Sequence, residues 1–219
     1  MHRLCVLHRV PLDEADWLLT VFSRQSGKQF VVTPHRKQTR LELNSIYEAG
    51  WSDSDDWPRI YAVNCVKQSQ LDGDALLCSL YLNELLVRLL NTGDSMPTVY
   101  DRYERTLEAL AGGQHPEPWL RTFEYQLLMQ LGYGFSWSSD CDGRPLNAQT
   151  RYDFEPERGL LPSRDGAYAA HWLLPLSGTG KPGAESWVCA KRILRQAIDH
   201  ILDRPLQSRE LFSWRKKDG

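Results

Sequence analysis

Residues Asp72–Gly93 read D-G-D-A-L-L-C-S-L-Y-L-N-E-L-L-V-R-L-L-N-T-G. Here Ala75, Leu76, Leu77, Leu80, Tyr81, Leu82, Leu85, Leu86, Val87, Leu89 and Leu90 put apolar side chains on nearly every side of an α-helix. A helix that is apolar all round is buried all round, so this stretch is the predicted central rod of the molecule. Asp74 is placed to accept hydrogen bonds from the first-turn N–H groups, and Gly93 to take the left-handed conformation that ends a helix. Glu84 and Arg88 stand four apart in the favourable order for an ion pair. At about 16 residues, with polar ends, the rod is too short to cross a bilayer, and no other segment is longer and as apolar.

Upstream of the rod the pattern changes. Leu4–Val10 alternates, Pro11–Glu14 reads as a turn, and Trp17–Phe22 is a second β-rich run. Ser26-Gly27-Lys28 is a tight-turn signal before Gln29–Thr33, and Leu41–Ala49 and Arg59–Val66 supply two more extended stretches around the acidic loop Ser52–Asp56. Five short strands without a helix predict a small barrel over residues 1–70, and the five-stranded OB-fold is the common object of that kind.

Downstream, residues 71–219 read as mainly helical. Thr98–Ala111 has Val99, Tyr103, Leu107 and Leu110 at helical spacing. His115-Pro116-Glu117-Pro118 opens a helix whose face is Trp119, Leu120, Phe123, Leu127, Leu128 and Leu131. A last long helix, Glu185–Leu202, buries Trp187, Val188, Ile193, Leu194, Ala197, Ile198 and Ile201 and leaves Lys191, Arg192 and Arg195 outside. Between them, about residues 135–182, Gly, Pro, Asp and Ser break the periodicity, which predicts an irregular insertion. The expected class is α+β: a five-stranded OB-fold barrel, then a helical domain carrying that insertion.

Charge divides the chain more sharply than its net −2 suggests. Residues 1–40 carry seven Lys/Arg against three acids, residues 189–219 eight against four, and residues 41–188 eleven against twenty-one. Basic ends around an acidic middle suit either contact with a polyanion or a solvated surface. From Ser23 to Arg40 there is no acid, only Arg24, Lys28, Arg36, Lys37 and Arg40 with His35 and three glutamines. Cations on such loops neutralise phosphates and make binding salt-dependent. Trp17, Phe22 and Phe30 are candidates either for base stacking or for filling the barrel. Lys191, Arg192, Arg195, Lys216 and Lys217 form a second cationic group.

Catalytic signatures are missing. Ser177-Gly178-Thr179-Gly180-Lys181 lacks phosphate-loop spacing and is followed by Pro182, and the six histidines are dispersed. Cys5, Cys65, Cys78, Cys141 and Cys189 are odd in number with no C-x-x-C, which fits a reducing cytosol and neither a disulfide framework nor a structural zinc. The N-terminus has no secretory h-region. No catalytic residue, metal or cofactor is expected.

Several stretches in order together resemble the RecO family of bacterial recombination mediator proteins. They are Val6-Leu7-His8 with Pro11; Leu18-Leu19-x-Val21-Phe22-x-x-x-Ser26-Gly27; Leu80-Tyr81-Leu82-Asn83-Glu84-Leu85-Leu86; Pro116-Glu117-Pro118-x-Leu120-Arg121-x-Phe123-Glu124; Leu131-Gly132-Tyr133-Gly134; Ala190-Lys191-Arg192; and Arg204-Pro205-Leu206-x-Ser208-Arg209-Glu210-Leu211-Phe212. The resemblance implies an OB-fold and a helical domain, binding of single- and double-stranded DNA, and annealing of complementary strands. It also implies partnership with RecR, indirect service to RecA, and a nucleoid-associated cytoplasmic setting. It further implies capture of the acidic C-terminal tail of single-stranded-DNA-binding protein (SSB), with Arg121 for its carboxylates and Leu120 for its terminal Phe. The chain departs from the family in its shorter, less basic run Pro34–Arg40, in Asp53, Asp55 and Asp56, and in having only Cys141 where some relatives carry a four-cysteine zinc knuckle. A protein-only adaptor, its barrel binding a peptide, is the alternative from another class.

Overall fold

The computed structural model describes residues 1–34, 41–52 and 57–215, the last four of these by backbone alone. Its contacts divide the chain into two compact units, Met1–Pro116 with Leu206–Gly219, and Glu117–Pro205.

The first unit opens with five strands: β1 His2–Pro11, β2 Asp16–Ser23, β3 Gly27–Pro34, β4 Ile46–Trp51 and β5 Ile60–Lys67. They form one antiparallel sheet in the order β3-β2-β1-β4-β5. It is strongly curled and OB-like. Its two edges meet at a bridge between Val32 and Arg59, where the Val32 N–H donates to Pro58 O at 2.8 Å, instead of along a full ladder. Leu4, Val6, Leu19, Val21, Val31, Leu41, Tyr47, Ala49 and Ile60 fill the concave side, with Trp17 and Trp51 at its rim.

Leu4 to Leu7 are all buried, so β1 is covered on both faces, and an unbroken apolar run replaces clean alternation. The second cover is helical. α1 spans Gly73–Leu89 and α2 Pro97–Ala111. Phe22 meets Tyr100 of α2 at 5.4 Å between ring centroids. A polar cluster ties the sheet to both helices. Asn83 Nδ2 donates to Leu7 O at 3.1 Å and to Asn44 Oδ1 at 2.9 Å, Asn44 Nδ2 donates to Ser79 Oγ at 3.0 Å, and Tyr103 OH donates to Asn83 Oδ1 at 2.6 Å. By contrast the fully buried Tyr100 hydroxyl has no hydrogen-bond partner among the described residues, and burial pushes its pKa up. A buried hydroxyl without a partner is destabilising, so Tyr100→Phe is expected to raise stability by about 1 kcal/mol, read as a higher urea midpoint.

Two details of the rod differ from the sequence expectation. α1 stops at Leu89 because Leu90 is extended; Gly93, at φ 89°, instead shapes the next loop, where its N–H donates to Lys28 O at 3.0 Å. Leu76, in the first turns, is 38% exposed, so the rod is wrapped only beyond it. Glu84 and Arg88 form the expected pair, 3.9 Å apart, and the same carboxylate has a second role. It accepts from Gln207 N (2.8 Å), Ser208 N (2.8 Å) and Ser208 Oγ (2.5 Å), capping the start of α6, Ser208–Arg215. The basic tail is thus helical in part and clasped onto α1, with Leu206 buried ahead of it.

The second unit contains α3 Pro116–Gln130 and α5 Ala184–Ile201. Between them the expected irregularity contains an ordered centre: β6 Arg151–Glu155, β7 Gly159–Ser163 and β8 Tyr168–Ala169 pair in the order β7-β6-β8, followed by the short α4 Ala170–Leu173. Strands this short leave no readable period. Phe135, Trp137, Phe154 and Tyr125 pack ring against ring beside this sheet, at centroid distances of 4.7–5.6 Å. On α5 the buried face is Cys189, Ala190, Ile193, Leu194, Ala197 and Ile198. Val188, expected inside, is 43% exposed.

Candidate nucleic-acid interface

The β2–β3 turn carries Arg24 and Lys28, and the α1–α2 loop folds onto it. Gly27, at φ 68°, lies so close to that loop that an added Cβ would stand 1.9 Å from Asp94 O. Ser95 Oγ donates to Arg24 O at 3.4 Å. The consequence is that Lys28 turns inward: it is 9% exposed, its Nζ donates to Val87 O at 2.7 Å, and burial lowers its pKa. Arg24 stays at the surface but forks onto Asp101, Nε to Oδ1 at 2.7 Å and Nη2 to Oδ2 at 3.0 Å. That fork holds the Asp101 carboxyl below its usual pKa. Neither cation is presented bare. Arg36, Lys37 and Arg40 lie outside the described residues, as do Lys216 and Lys217.

The three aromatic candidates separate cleanly. Phe22 is fully buried against Tyr100 and fills space. Trp17 is half-buried at the core rim, with the Arg9 guanidinium 5.0 Å from its ring centroid. Phe30 is half-buried on the other face of the sheet, and Trp57 stands edge-on to it, centroids 6.4 Å apart and planes at 83°. Close by in sequence, Arg59 is 60% exposed and forks onto Asp16, Nη2–Oδ2 at 2.7 Å and Nη1–Oδ1 at 3.3 Å. Arg9, Trp57 and Arg59 were not among the sequence candidates. The Trp57-Pro58 pair was the available signal: proline restricts the residue before it to extended backbone and so fixes where the indole stands.

In the second unit α5 presents Lys191 and Arg195, 58% and 62% exposed, together with the exposed Arg192. Lys191 Nζ lies 3.6 Å from Glu117, and Arg195 Nε 3.6 Å from Asp199 one turn on. Arg121 and Leu120 are interior. Arg121, its side chain 7% exposed, places Nη1 2.8 Å from Glu124, which is 0% exposed, and Nε 3.3 Å from Glu117. Leu120 is 6% exposed. Lys191, Glu117, Arg121 and Glu124 therefore form one chain of alternating charge running from the surface inward. Among the described residues no group of three or more His, Cys, Asp or Glu is placed to hold a metal ion, and no helix is long and apolar enough to cross a membrane.

Residues 70–210 match the family model described as Recombination protein O C terminal. The chain is 45% identical over 219 residues to the DNA repair protein RecO of Pseudomonas aeruginosa strain LESB58, covering 97% of this chain and 94% of that one. It is 43% identical over 216 residues to the DNA repair protein RecO of Stutzerimonas stutzeri, covering 94% and 91%. Identity at that level across both the curled sheet and the helices means that the chain belongs to the RecO family of DNA repair and recombination proteins.

Proposed function

We propose that the chain is a non-catalytic mediator of recombinational repair, cytoplasmic and nucleoid-associated. It binds single- and double-stranded DNA, anneals complementary strands and, with RecR, helps load RecA onto SSB-coated single strands. The observation that carries the reading is full-length similarity to RecO proteins. The cations proposed for backbone contact are Arg24, Arg36, Lys37 and Arg40 in the first unit and Lys191, Arg192 and Arg195 in the second, with Lys216 and Lys217 at the tail. Because Arg24, Lys191 and Arg195 already face carboxylates, each exchanges an internal partner for a phosphate, which keeps binding moderate and strongly salt-dependent. The SSB tail is received by the second unit near Leu120. There Arg121 anchors Glu117, and the exposed Lys191 meets the tail's carboxylates.

A labelled oligonucleotide titrated at several salt concentrations tests the DNA contact. Reversing Arg36, Lys37 and Arg40 to glutamate is expected to weaken binding and to flatten the log–log salt slope by up to about 3. Lys28→Met, whose ammonium is turned inward, is expected to leave the slope unchanged. An unaltered slope in the triple variant would remove that loop from the interface.

A further inference from the structure

We propose that Phe30 and Trp57 form a seat for one unpaired nucleobase, which makes this corner of the sheet selective for single-stranded over duplex nucleic acid. The inference rests on the nucleic-acid reading above and adds to it the strand state that the chain distinguishes. Register fixes the orientation. Leu19 and Val31 pair and both point into the core, so Thr20 and Phe30, the next pair, point to the opposite face. The neighbouring pair on that face, Phe22 and Lys28, is covered by α2 and α1, but next to Phe30 the ring of Trp57 is 42% exposed and stands at 83° to it. Two rings at right angles make a corner in which a flat heterocycle stacks on one ring while its rim meets the other.

The corner is built before any ligand arrives. Pro58 limits Trp57 to extended backbone and accepts the Val32 N–H at 2.8 Å. Ser52 N–H donates to Arg59 O at 3.0 Å, and Arg59 N–H donates back to Ser52 Oγ at 3.1 Å. Arg59 is then fixed to Asp16 at the start of β2. Little ordering is left to be done on binding.

A nucleobase suits the corner better than an apolar side chain does. Two residues along the chain from Trp57, the Arg59 guanidinium remains 60% exposed beside Asp16, and a cation so near in sequence favours a ligand that carries a phosphate over an apolar side chain. A base inside a duplex has both π faces covered by its neighbours and cannot enter. A base that has left its stack can, whatever its identity, since every base has a π face.

The test uses the full chain with three labelled probes of equal length: an oligo-dT strand, a hairpin duplex, and a strand of abasic sites that keeps the phosphates and lacks the bases. Trp57→Ala is expected to weaken oligo-dT binding roughly tenfold, to leave duplex and abasic binding within about twofold, and to keep the salt slope of the unaltered chain. Trp57→Phe, which keeps a ring on the same backbone, is expected to recover most of the loss, with melting curves showing both variants folded. The proposal is overturned if Trp57→Ala leaves oligo-dT binding unchanged, the result expected if the corner docks a protein segment. It is also overturned if all three probes weaken together or if the salt slope falls. An unaltered chain that binds none of the probes would overturn the functional reading itself, and this seat with it.

Discussion

Replacing Arg121 with alanine is expected to lower the stability of the unit Glu117–Pro205 by about 3–5 kcal/mol, seen as a new, earlier-melting transition. The reason is Glu124. Its side chain is 0% exposed and its carboxylate lies 2.8 Å from the Arg121 guanidinium. Deleting the guanidinium takes from that interior carboxylate a countercharge 2.8 Å away, at a depth where water cannot replace it. The paired change Arg121→Met with Glu124→Leu is expected to recover most of the loss, because the two opposite charges leave the interior together. Failure of the double variant to recover would place the contribution of Arg121 in some other contact. For the same reason, loss of a tail peptide by Arg121→Ala is informative only beside a melting curve. Lys191→Ala, a change at a surface position, tests the same docking and leaves Arg121 and Glu124 in place.

Asn83→Leu is expected to cost about 3–5 kcal/mol in the unit built from the sheet, α1 and α2, measured by urea denaturation. One side chain there serves Leu7 O, Asn44 and the Tyr103 hydroxyl. Leucine fills the volume but takes one buried hydrogen-bond partner from each of three polar groups. Tyr103→Phe removes one hydroxyl and leaves Asn83 Oδ1 short of one donor, so a smaller loss, about 1–2 kcal/mol, is expected. Equal losses in the two variants would mean that the ring of Tyr103, and not the polar cluster, holds the helices to the sheet.

The five strands and the four long helices were legible because each announces itself within a short window: alternation and turn residues for the strands, a 3.6-residue period for the helices. What escaped was set at long range. α6 is eight residues long, too short to be stable alone, and its start is fixed by Glu84, more than a hundred residues earlier. β6 to β8 are too brief to show a period. The same limit governed the site. Arg24 and Lys28 were chosen by sign, but their partners, Asp101 and Val87 O, lie 77 and 59 residues away in the chain, and only the folded loop brings them together. Arg121 shows the converse. Its motif was readable, including Glu117 and Glu124 at i−4 and i+3, yet the 0% exposure of Glu124 was not, and burial is what turns a surface pair into an interior one.

The clasp between Glu84 and the first residues of α6 also sets a timetable for synthesis. Because Leu206–Gly219 belongs with Met1–Pro116, a ribosome has to translate the whole intervening segment Glu117–Pro205 before the first unit can close. At ~5–20 residues per second that is a delay of roughly 5–20 seconds, during which the nascent chain offers an uncapped carboxylate and an empty seat for Leu206. A product of premature termination keeps that gap open permanently, which marks it for chaperones and proteases while most of its sheet and α1 are already in place.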